Sequence, residues 1–399
     1  MNTKDLKDAV NGIGMKDEMK KEVVRNVMKQ TGKKRKGMKT LRWQKVAAAA
    51  VVIVVAGGAI AFPVRAFVNS HVQERMEEMS QEDKDAIVDA VDHLQVNADS
   101  FSREYTENEK ERRRVLYQQY VQGVFPESEL PQVDSEKEAE QYELCYLKAA
   151  SKFYLPEREL TDEELLEIID FTLKKKYAIT QRYEEEYAEE IAKTKAQTDE
   201  EMKAVVENGG VTQQQAEETA IDYLVKLYNV TGQGLDFGCY YKGADDEFTG
   251  VGEENYLACW KDIVNHDYYY ICISARDGRL IGAMYSGEEI PDDGIKAEEA
   301  EEKISALHDK AADFIKKERN ETYQNEYVFY EKYEDNTTTE CVKFIFEKED
   351  GSVYTVEYGW NGVLSYYGED KLSDYNDGIG RTRFIEGVGK SVVSVFRQF

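Results

Sequence analysis

The pattern of apolar and polar residues divides the chain into one long apolar run, a mostly helical stretch and two similar mixed segments. The apolar run, Val46 to Val64, contains nineteen residues and no charged side chain. At the helical rise of about 1.5 Å per residue, it would extend about 28 Å, close to the roughly 30 Å hydrocarbon core of a bilayer. The run therefore predicts a single transmembrane helix, 46–64, with a buried helix of a soluble protein as the alternative.

Charges on the two sides of this run predict its orientation. Residues 1–45 hold 14 Lys/Arg and 5 Asp/Glu, whereas Glu74, Glu77 and Glu78 follow on the other side. Basic residues favour the cytoplasmic side of a membrane. The sequence thus predicts a basic cytoplasmic tail, 1–45, and an extracytoplasmic remainder of a single-pass cell-membrane protein. A cleaved signal peptide is the alternative, but a basic leader of 45 residues is longer than is usual.

The basic tail contains one predicted helix, at about residues 16–29. Its apolar residues are spaced four, one and four positions apart, which approximates one face of a helix, and they are Met19, Val23, Val24 and Met28. We expect this face to bind a cytoplasmic partner, or to lie on anionic lipid together with the basic run 33–45. A leader that only fixes the topology is the alternative.

Helix signals dominate the next region, 65–206, which we predict to be mainly helical. Thr106 with Glu109, and Thr161 with Glu164, have the spacing of capping boxes, in which side chains bond the free amides at a helix start. One segment, Tyr142 to Leu155, alternates between polar and apolar residues and predicts a strand.

Two similar segments follow, 207–292 and 293–370. Each begins with an amphipathic helix and continues with strand-like stretches that are interrupted by Asp277-Gly278, Asp350-Gly351 and Asn361-Gly362. These dipeptides favour hairpin turns. The predicted fold class is therefore α+β, with one N-terminal transmembrane helix, a helical segment and two helix-plus-antiparallel-meander units. The end of the chain, 371–399, is predicted as a tail, and its last segment, 381–399, as a final strand, a packing arm or a segment that seeks a surface.

Charge and composition exclude several functions. The formal net charge is -27, and an acidic chain is unsuited to binding nucleic acid. The four histidines are scattered and form no metal-ligand pattern, so we expect no cofactor and no catalytic site. The five cysteines include no CxxC pair. They are predicted to be buried thiols, with a Cys239–Cys259 or Cys259–Cys272 bridge as the open alternative.

Aromatic residues concentrate in the strands of the two mixed segments. Tyrosine suits a half-buried sheet, and that role accounts for most of them. The sharper hypothesis is a ligand surface, because Tyr and Trp offer both apolar area and a hydrogen bond. Its candidate residues are Tyr240, Trp260, Tyr270, Tyr358 and Trp360.

The two mixed segments resemble PepSY-type domains. The resemblance rests on AEETAIDYL and YYYICISARDGRLIGAMYSG in 207–292, and on AEEAEEKISAL and GSVYTVEYGWNGVLSYYG in 293–370. It implies extracytoplasmic, non-catalytic modules that modulate peptidases or bind ligands of the cell envelope.

The overall layout also resembles single-pass anti-sigma-factor-like membrane proteins of Gram-positive bacteria. The block FYLPERELTDEELLEIIDF, residues 153–171, is similar to uncharacterised clostridial membrane proteins of this type. The tail departs from the pattern, because it lacks the HxxxCxxC motif of zinc anti-sigma domains. Together the resemblances imply a non-enzymatic envelope sensor or regulator that contacts the lipid bilayer, a cytoplasmic sigma factor and an envelope peptide. The alternative is a modulator or inhibitor of an extracytoplasmic peptidase.

Overall fold

The computed structural model describes residues 70–92, 99–232, 235–244, 252–262, 264–291, 294–372, 375, 382–385 and 390–399. None of the helices in these ranges is long and apolar enough to cross a membrane. The predicted span, 46–64, lies outside the described residues, and so do the predicted partner-binding positions Met19, Val23, Val24 and Met28.

The first part of the described chain is a domain of helices and short strands. Its helices are α1 (Ser70–Glu77), α2 (Gln81–Asp92), α3 (Glu107–Tyr120), α4 (Glu136–Ala139) and α5 (Asp162–Glu186). Its strands are β1 (Ser100–Phe101), β2 (Gln132–Val133), β3 (Cys145–Leu147) and β4 (Lys152–Tyr154). They form a mixed four-stranded sheet in the order β1-β4-β3-β2. Helix α6 (Ala188–Glu207) leads from this domain to the main sheet.

Two helices of the first domain begin where the sequence predicts. Thr106 and Thr161 each accept a hydrogen bond from the amide of the third helical residue, and both capping boxes are complete. The predicted strand between residues 142 and 155 is instead two strands, β3 and β4, because Ser151 takes a left-handed conformation with φ 47° between them. The apolar face of α5 packs into the core of the domain through Leu165, Ile169 and Leu173.

A buried carboxylate, that of Glu109, connects the starts of α3 and α5. Glu109 is fully buried and accepts hydrogen bonds from both terminal nitrogens of Arg103, at 2.8 and 2.7 Å. Its oxygens also accept from the amides of Thr106 and Leu160, each at 2.7 Å. Burial alone would raise the pKa of Glu109, but these bonds lower it to about 2. The ionised side chain is therefore part of the folded structure.

The main sheet has ten strands, all paired antiparallel. The first unit contributes α7 (Gln213–Tyr228), β5 (Asp236–Lys242), β6 (Asn255–Asp262), β7 (Asp267–Ser274) and β8 (Leu280–Ser286). The second contributes α8 (Ala297–Arg319), β9 (Asn325–Tyr333), β10 (Thr338–Glu347), β11 (Ser352–Gly359) and β12 (Leu364–Lys371). The end of the chain adds β13 (Thr382–Ile385) and β14 (Lys390–Gln398). Their spatial order is β13-β14-β9-β10-β11-β12-β8-β7-β6-β5.

The two units are joined along their last strands. Met284 and Ala283 of β8 lie opposite Tyr366 and Tyr367 of β12. One hydrophobic cluster contains side chains of α7, α8 and the strands of both units. Both helices therefore cover the same side of the sheet, which we call the helix face, and the other side is the opposite face. The glycines of the predicted turns have positive φ, between 75° and 85°, as hairpin turns favour.

The end of the chain is a strand that extends the second unit. β14 pairs with the outer edge of β9 from Val392 opposite Tyr333 to Gln398 opposite Tyr327. Of the three alternatives left open for residues 381–399, the structure shows the final strand, at 382–385 and 390–398. On the helix face, Arg397 of β14 forms an ion pair with Glu301 of α8 at 2.5 Å.

The first domain contacts the main sheet through the turn between β6 and β7. Val264 of this turn packs into the core of the first domain. Nearby, Arg113 of α3 donates a hydrogen bond to Asn265 at 3.1 Å, and Arg114 forms an ion pair with Asp267 at 3.7 Å. The first domain is thus attached to the outer strands of the first unit.

The predicted fold class was wrong in how it arranged the helices and strands. The region taken as mainly helical also contains a four-stranded sheet. The two units form one sheet, because their last strands pair, and their helices share one core. The transmembrane helix of the prediction has no counterpart among the described helices. Which strand edges meet depends on contacts between distant residues, and the periodicity of each unit carries no information on them.

The buried carboxylate allows a test of the first domain. We expect Glu109→Gln to lower the free energy of unfolding at pH 7 by about 3 kcal/mol, because a buried pair loses one charged partner. The folded pKa is about 2 and the ordinary value is 4.5. The stabilisation is therefore present above about pH 4.5 and is lost as the pH falls toward 2, so the difference between variant and wild type should shrink in that window.

Urea unfolding followed by circular dichroism at several pH values would measure this difference. The matched control is Glu107→Gln, since the Glu107 side chain is 90% exposed and pairs with Lys110 at 3.0 Å. The control should change the free energy of unfolding by less than about 0.5 kcal/mol. Equal urea midpoints for Glu109→Gln and the wild type would contradict the proposed role of the buried carboxylate.

Candidate functional site

The outer edge of β5 is a long strand edge that no other described strand covers. β5 pairs with β6 without interruption, from Asp236 opposite Lys261 to Lys242 opposite Asn255. The five residues between Asp236 and Lys242 are FGCYY, which include neither a charge nor a proline. Natural sheets usually protect an edge with charges, proline, a bulge or a covering element, because an open edge pairs readily with another chain.

Hydrogen bonding in the next ladder determines which backbone groups of β5 face outward. The amide of Ala275 donates to the carbonyl of Glu254 at 2.9 Å, so Glu254 and every second residue after it bond toward β7. The residues of β6 that bond toward β5 are therefore Asn255, Leu257, Cys259 and Lys261. Their partners Asp236, Gly238, Tyr240 and Lys242 face inward. The backbone groups of Phe237, Cys239 and Tyr241 consequently point away from the sheet.

The start of α7 lies close to this edge. Thr212 caps α7 and bonds the amide of Gln215, which fixes the first turn of the helix. From that turn the side-chain amide of Gln213 donates to the carbonyl of Cys239 at 3.3 Å and to the carboxylate of Glu217 at 2.8 Å. A glutamine side chain thus occupies a backbone acceptor that a neighbouring strand would otherwise use. The side chain of Gln213 therefore connects Glu217 to the backbone of the β5 edge.

Acidic groups also surround the far end of the edge. The ring of Tyr241 packs edge-on against Tyr256, with ring centroids 5.6 Å apart. Burial raises the pKa of Tyr241 to about 12, and the carboxylates of Glu254 and Glu201 add to this effect. On the helix face, carboxylates therefore lie near β5 at Cys239, where the group is Glu217, and at Tyr241, where the groups are Glu254 and Glu201.

Helices α5 and α6 contact both faces of the sheet near β5. Lys176 of α5 pairs with Asp236, whose side chain lies on the opposite face. Near its end α6 contributes Met202 and Val205 to the core on the helix face.

A break in the helical path separates α5 from α6. Tyr187 has φ −109° and ψ 19° at this break, and its side chain is buried. Among the residues of α6 itself, Val205 alone is buried, so most of this helix is not packed into a core.

The middle of the opposite face of β5 is apolar, and the charged residues Asp236 and Lys242 lie at its two ends. Leu257, Cys259 and Cys272 are buried there, and Tyr240 packs against them. The ring of Tyr240 lies over Gly238, where an added Cβ atom would overlap the tyrosine hydroxyl. A segment next to β5 would thus meet carboxylates on the helix face and apolar side chains on the opposite face.

The structure distributes the predicted aromatic residues over both faces. Tyr240 and Tyr270 belong to the cluster on the opposite face. Trp260, Tyr358 and Trp360 belong to the core of the helix face. Four of the five are at most 8% exposed: Trp260 (3%), Tyr270 (8%), Tyr358 (2%) and Trp360 (5%). They do not form one exposed surface in the structure, although Tyr240 lies on β5 itself.

The five cysteines and His308 have structural roles. All five cysteines are free thiols, so neither a Cys239–Cys259 nor a Cys259–Cys272 bridge is formed. Burial raises the pKa of the Cys239 thiol and, as a smaller cause, so does Glu217. Within the described ranges, no three His, Cys, Asp or Glu side chains are grouped so that they could hold a metal ion. The imidazole of His308 stacks on Phe399 with ring centroids 3.8 Å apart and bonds Glu326 at 2.8 Å.

The open edge itself was missed by the sequence analysis. The alternation of β5 is visible in DFGCYYK, but nothing local to that segment indicates that it becomes the outermost strand. The absence of charge and proline from its middle is typical of an interior strand, since edge strands usually carry one or the other, so the composition of the segment indicated the wrong position.

Comparison with known proteins adds little. No protein-family model and no curated protein matches the chain. Among solved structures, the C-terminal domain of YpeB from Bacillus megaterium is similar over 40% of this chain and 63% of that chain, with 14% identical residues and a TM-score of 0.27. This similarity is too weak to carry an argument about function. The comparisons do not support the anti-sigma-factor-like resemblance.

The buried thiols allow a second test. Burial raises the pKa of Cys259 from 9.0 to about 11, which lowers its thiolate fraction at pH 8 about a hundredfold. We expect iodoacetamide to alkylate Cys259 at least about a hundredfold more slowly in the native protein than in urea. Mass spectrometry of timed samples would measure both rates. Rapid alkylation of native Cys259 would contradict its burial on the opposite face.

Proposed function

We propose that the main sheet is a protein-binding module that takes up an extended polypeptide segment along the outer edge of β5, without catalysis. The observation that supports this most directly is the regular, uncovered edge, at which Phe237, Cys239 and Tyr241 direct their backbone groups outward. An extended segment that adds to a sheet edge gains main-chain hydrogen bonds, and side-chain pockets supply specificity.

The second unit of the same chain provides an internal precedent. Its first strand, β9, holds the same place in the second unit that β5 holds in the first, and its outer edge is paired with β14. The outer edge of β5 has no such strand among the described residues. The protein thus already contains one added strand, β14 on β9. A partner would supply the equivalent strand on β5.

Backbone hydrogen bonds alone would bind a segment weakly. The three outward residues have six backbone groups, but the Cys239 carbonyl already accepts from Gln213, so five remain. Each new bond contributes about 0.5–1.5 kcal/mol net. Ordering seven residues of a flexible segment costs about 1–2 kcal/mol for each residue. The ordering cost is the larger of the two, so the affinity must come from side-chain contacts with the helix face and the opposite face.

Both functions predicted from the sequence would need a polypeptide partner at such an edge. For a regulator, the partner would be an envelope peptide or protein, and for the alternative it would be a peptidase. The sigma-factor partner and the location in the cell envelope concern residues or conditions that the structure does not test, and they stay predictions.

A selection experiment would test the proposal. A phage library of random seven-residue peptides would be panned on the full chain, and the selected peptides would be assayed against Cys239→Pro and Cys239→Ser. Proline removes the outward N–H at position 239 and leaves the ladder to β6 intact. We expect the selected peptides to lose at least about tenfold in affinity for the proline variant, and little for the serine variant.

Hydrogen exchange on the wild-type chain gives an independent measurement. A bound peptide should slow exchange at the amides of Phe237, Cys239 and Tyr241. Peptides that bind the proline variant as tightly as the wild type, or that leave these three amides unprotected, would overturn the proposal.

A further inference from the structure

Helices α7 and α8 carry a glutamate at the same position. Lys296 is the residue before α8 and Thr212 the residue before α7, so the fifth helical residues are Glu301 and Glu217. The residue before each, Ala300 and Ala216, is buried against the sheet in both helices. The two glutamates therefore project from equivalent places on the two helices, beside the first strand of each unit.

In the second unit this glutamate binds the added strand. Glu301 accepts hydrogen bonds from the Tyr330 hydroxyl of β9, at 2.7 Å, and from Arg397 of β14, at 2.5 Å. Arg397 lies opposite Val328, whose side chain belongs to the core of the helix face. Burial acts to raise the pKa of Glu301, but the bonds from Tyr330 and Arg397 outweigh it and lower the pKa. The added strand is thus fixed to the helix by a basic residue on the helix face.

In the first unit the equivalent glutamate lies beside the uncovered edge. Glu217 and the Cys239 carbonyl share the side-chain amide of Gln213. A segment paired with β5 would direct every second side chain to the helix face, next to Glu217, and the others to the apolar side around Leu257 and Cys259.

We propose that the segment taken up at β5 is a strand of a partner protein with a basic residue that pairs with Glu217, as Arg397 pairs with Glu301, and apolar residues at alternate positions. This inference rests on the proposed function and specifies the chemistry of the partner. A second copy of this chain fits less well. Its net charge is -27, so two copies repel each other.

The probe for this inference is a synthetic peptide with the sequence of residues 390–399, KSVVSVFRQF, which the chain itself folds as a strand. Its affinity for the full chain would be measured for the wild type and for Glu217→Gln. The matched control is Glu218→Gln, because Glu218 neighbours Glu217 on α7 but is exposed and accepts from Gln214 at 3.0 Å. We expect Glu217→Gln to weaken binding about three- to tenfold, and the control to have no effect.

A charge exchange completes the design. The peptide with Arg397→Glu should bind the wild type poorly, and Glu217→Lys should restore its binding. Hydrogen exchange would show whether each peptide protects Phe237, Cys239 and Tyr241 rather than displacing β14 from β9.

The outcomes separate the two proposals. The peptides could protect the β5 amides and bind the wild type, Glu217→Gln and Glu217→Lys with equal affinity. That result would overturn the inference that a basic residue pairs with Glu217, and it would leave the proposal of strand addition intact. Failure of both this peptide and every phage-selected peptide to protect these amides would overturn strand addition itself. Protection of the same amides in the free protein, together with dimers in sedimentation velocity, would assign the edge to a second copy and overturn the inference.

Discussion

The pairing of β8 with β12 determines the architecture of the main sheet. Because the last strands of the two units meet, both helices lie on one face and share one core, and the first strands, β5 and β9, are directed outward. An open sheet has two edges, and an open edge is a site at which another chain can pair. The junction in the middle of the sheet thus leaves the outer edges of β5 and β9 as the two edges of the joined units.

The chain treats these two edges differently. It covers β9 with its own last strand and fixes that strand through Arg397 and Glu301. At β5 the equivalent carboxylate is Glu217, whose described hydrogen-bond partner is the neutral amide of Gln213. A neutral donor contributes less than a charged one. The first unit therefore retains an acceptor that a cationic side chain would satisfy better.

Local chemistry allowed much of each element to be predicted, but not their arrangement. Capping boxes at Thr106 and Thr161 and the glycine turns depend on residues within a few positions, and they were confirmed. The joining of the units depends on contacts between residues about eighty positions apart, such as Tyr366 and Met284, and the sequence analysis made no prediction of that pairing. The aromatic candidates were predicted to form a ligand surface from their residue types alone. Side-chain alternation then put Trp260 and Tyr270 on opposite faces.

Selectivity at such an edge has to come from the helix face. Backbone hydrogen bonds are the same for every sequence, and apolar contacts on the opposite face distinguish one aliphatic side chain from another only weakly. A carboxylate at a fixed helical position acts differently, because pairing an acidic residue with it costs free energy while pairing a basic one gains it. Position five of α7 is therefore where a change of one residue would alter the choice of partner without altering the sheet. The occupied counterpart in α8 indicates which charge that partner carries.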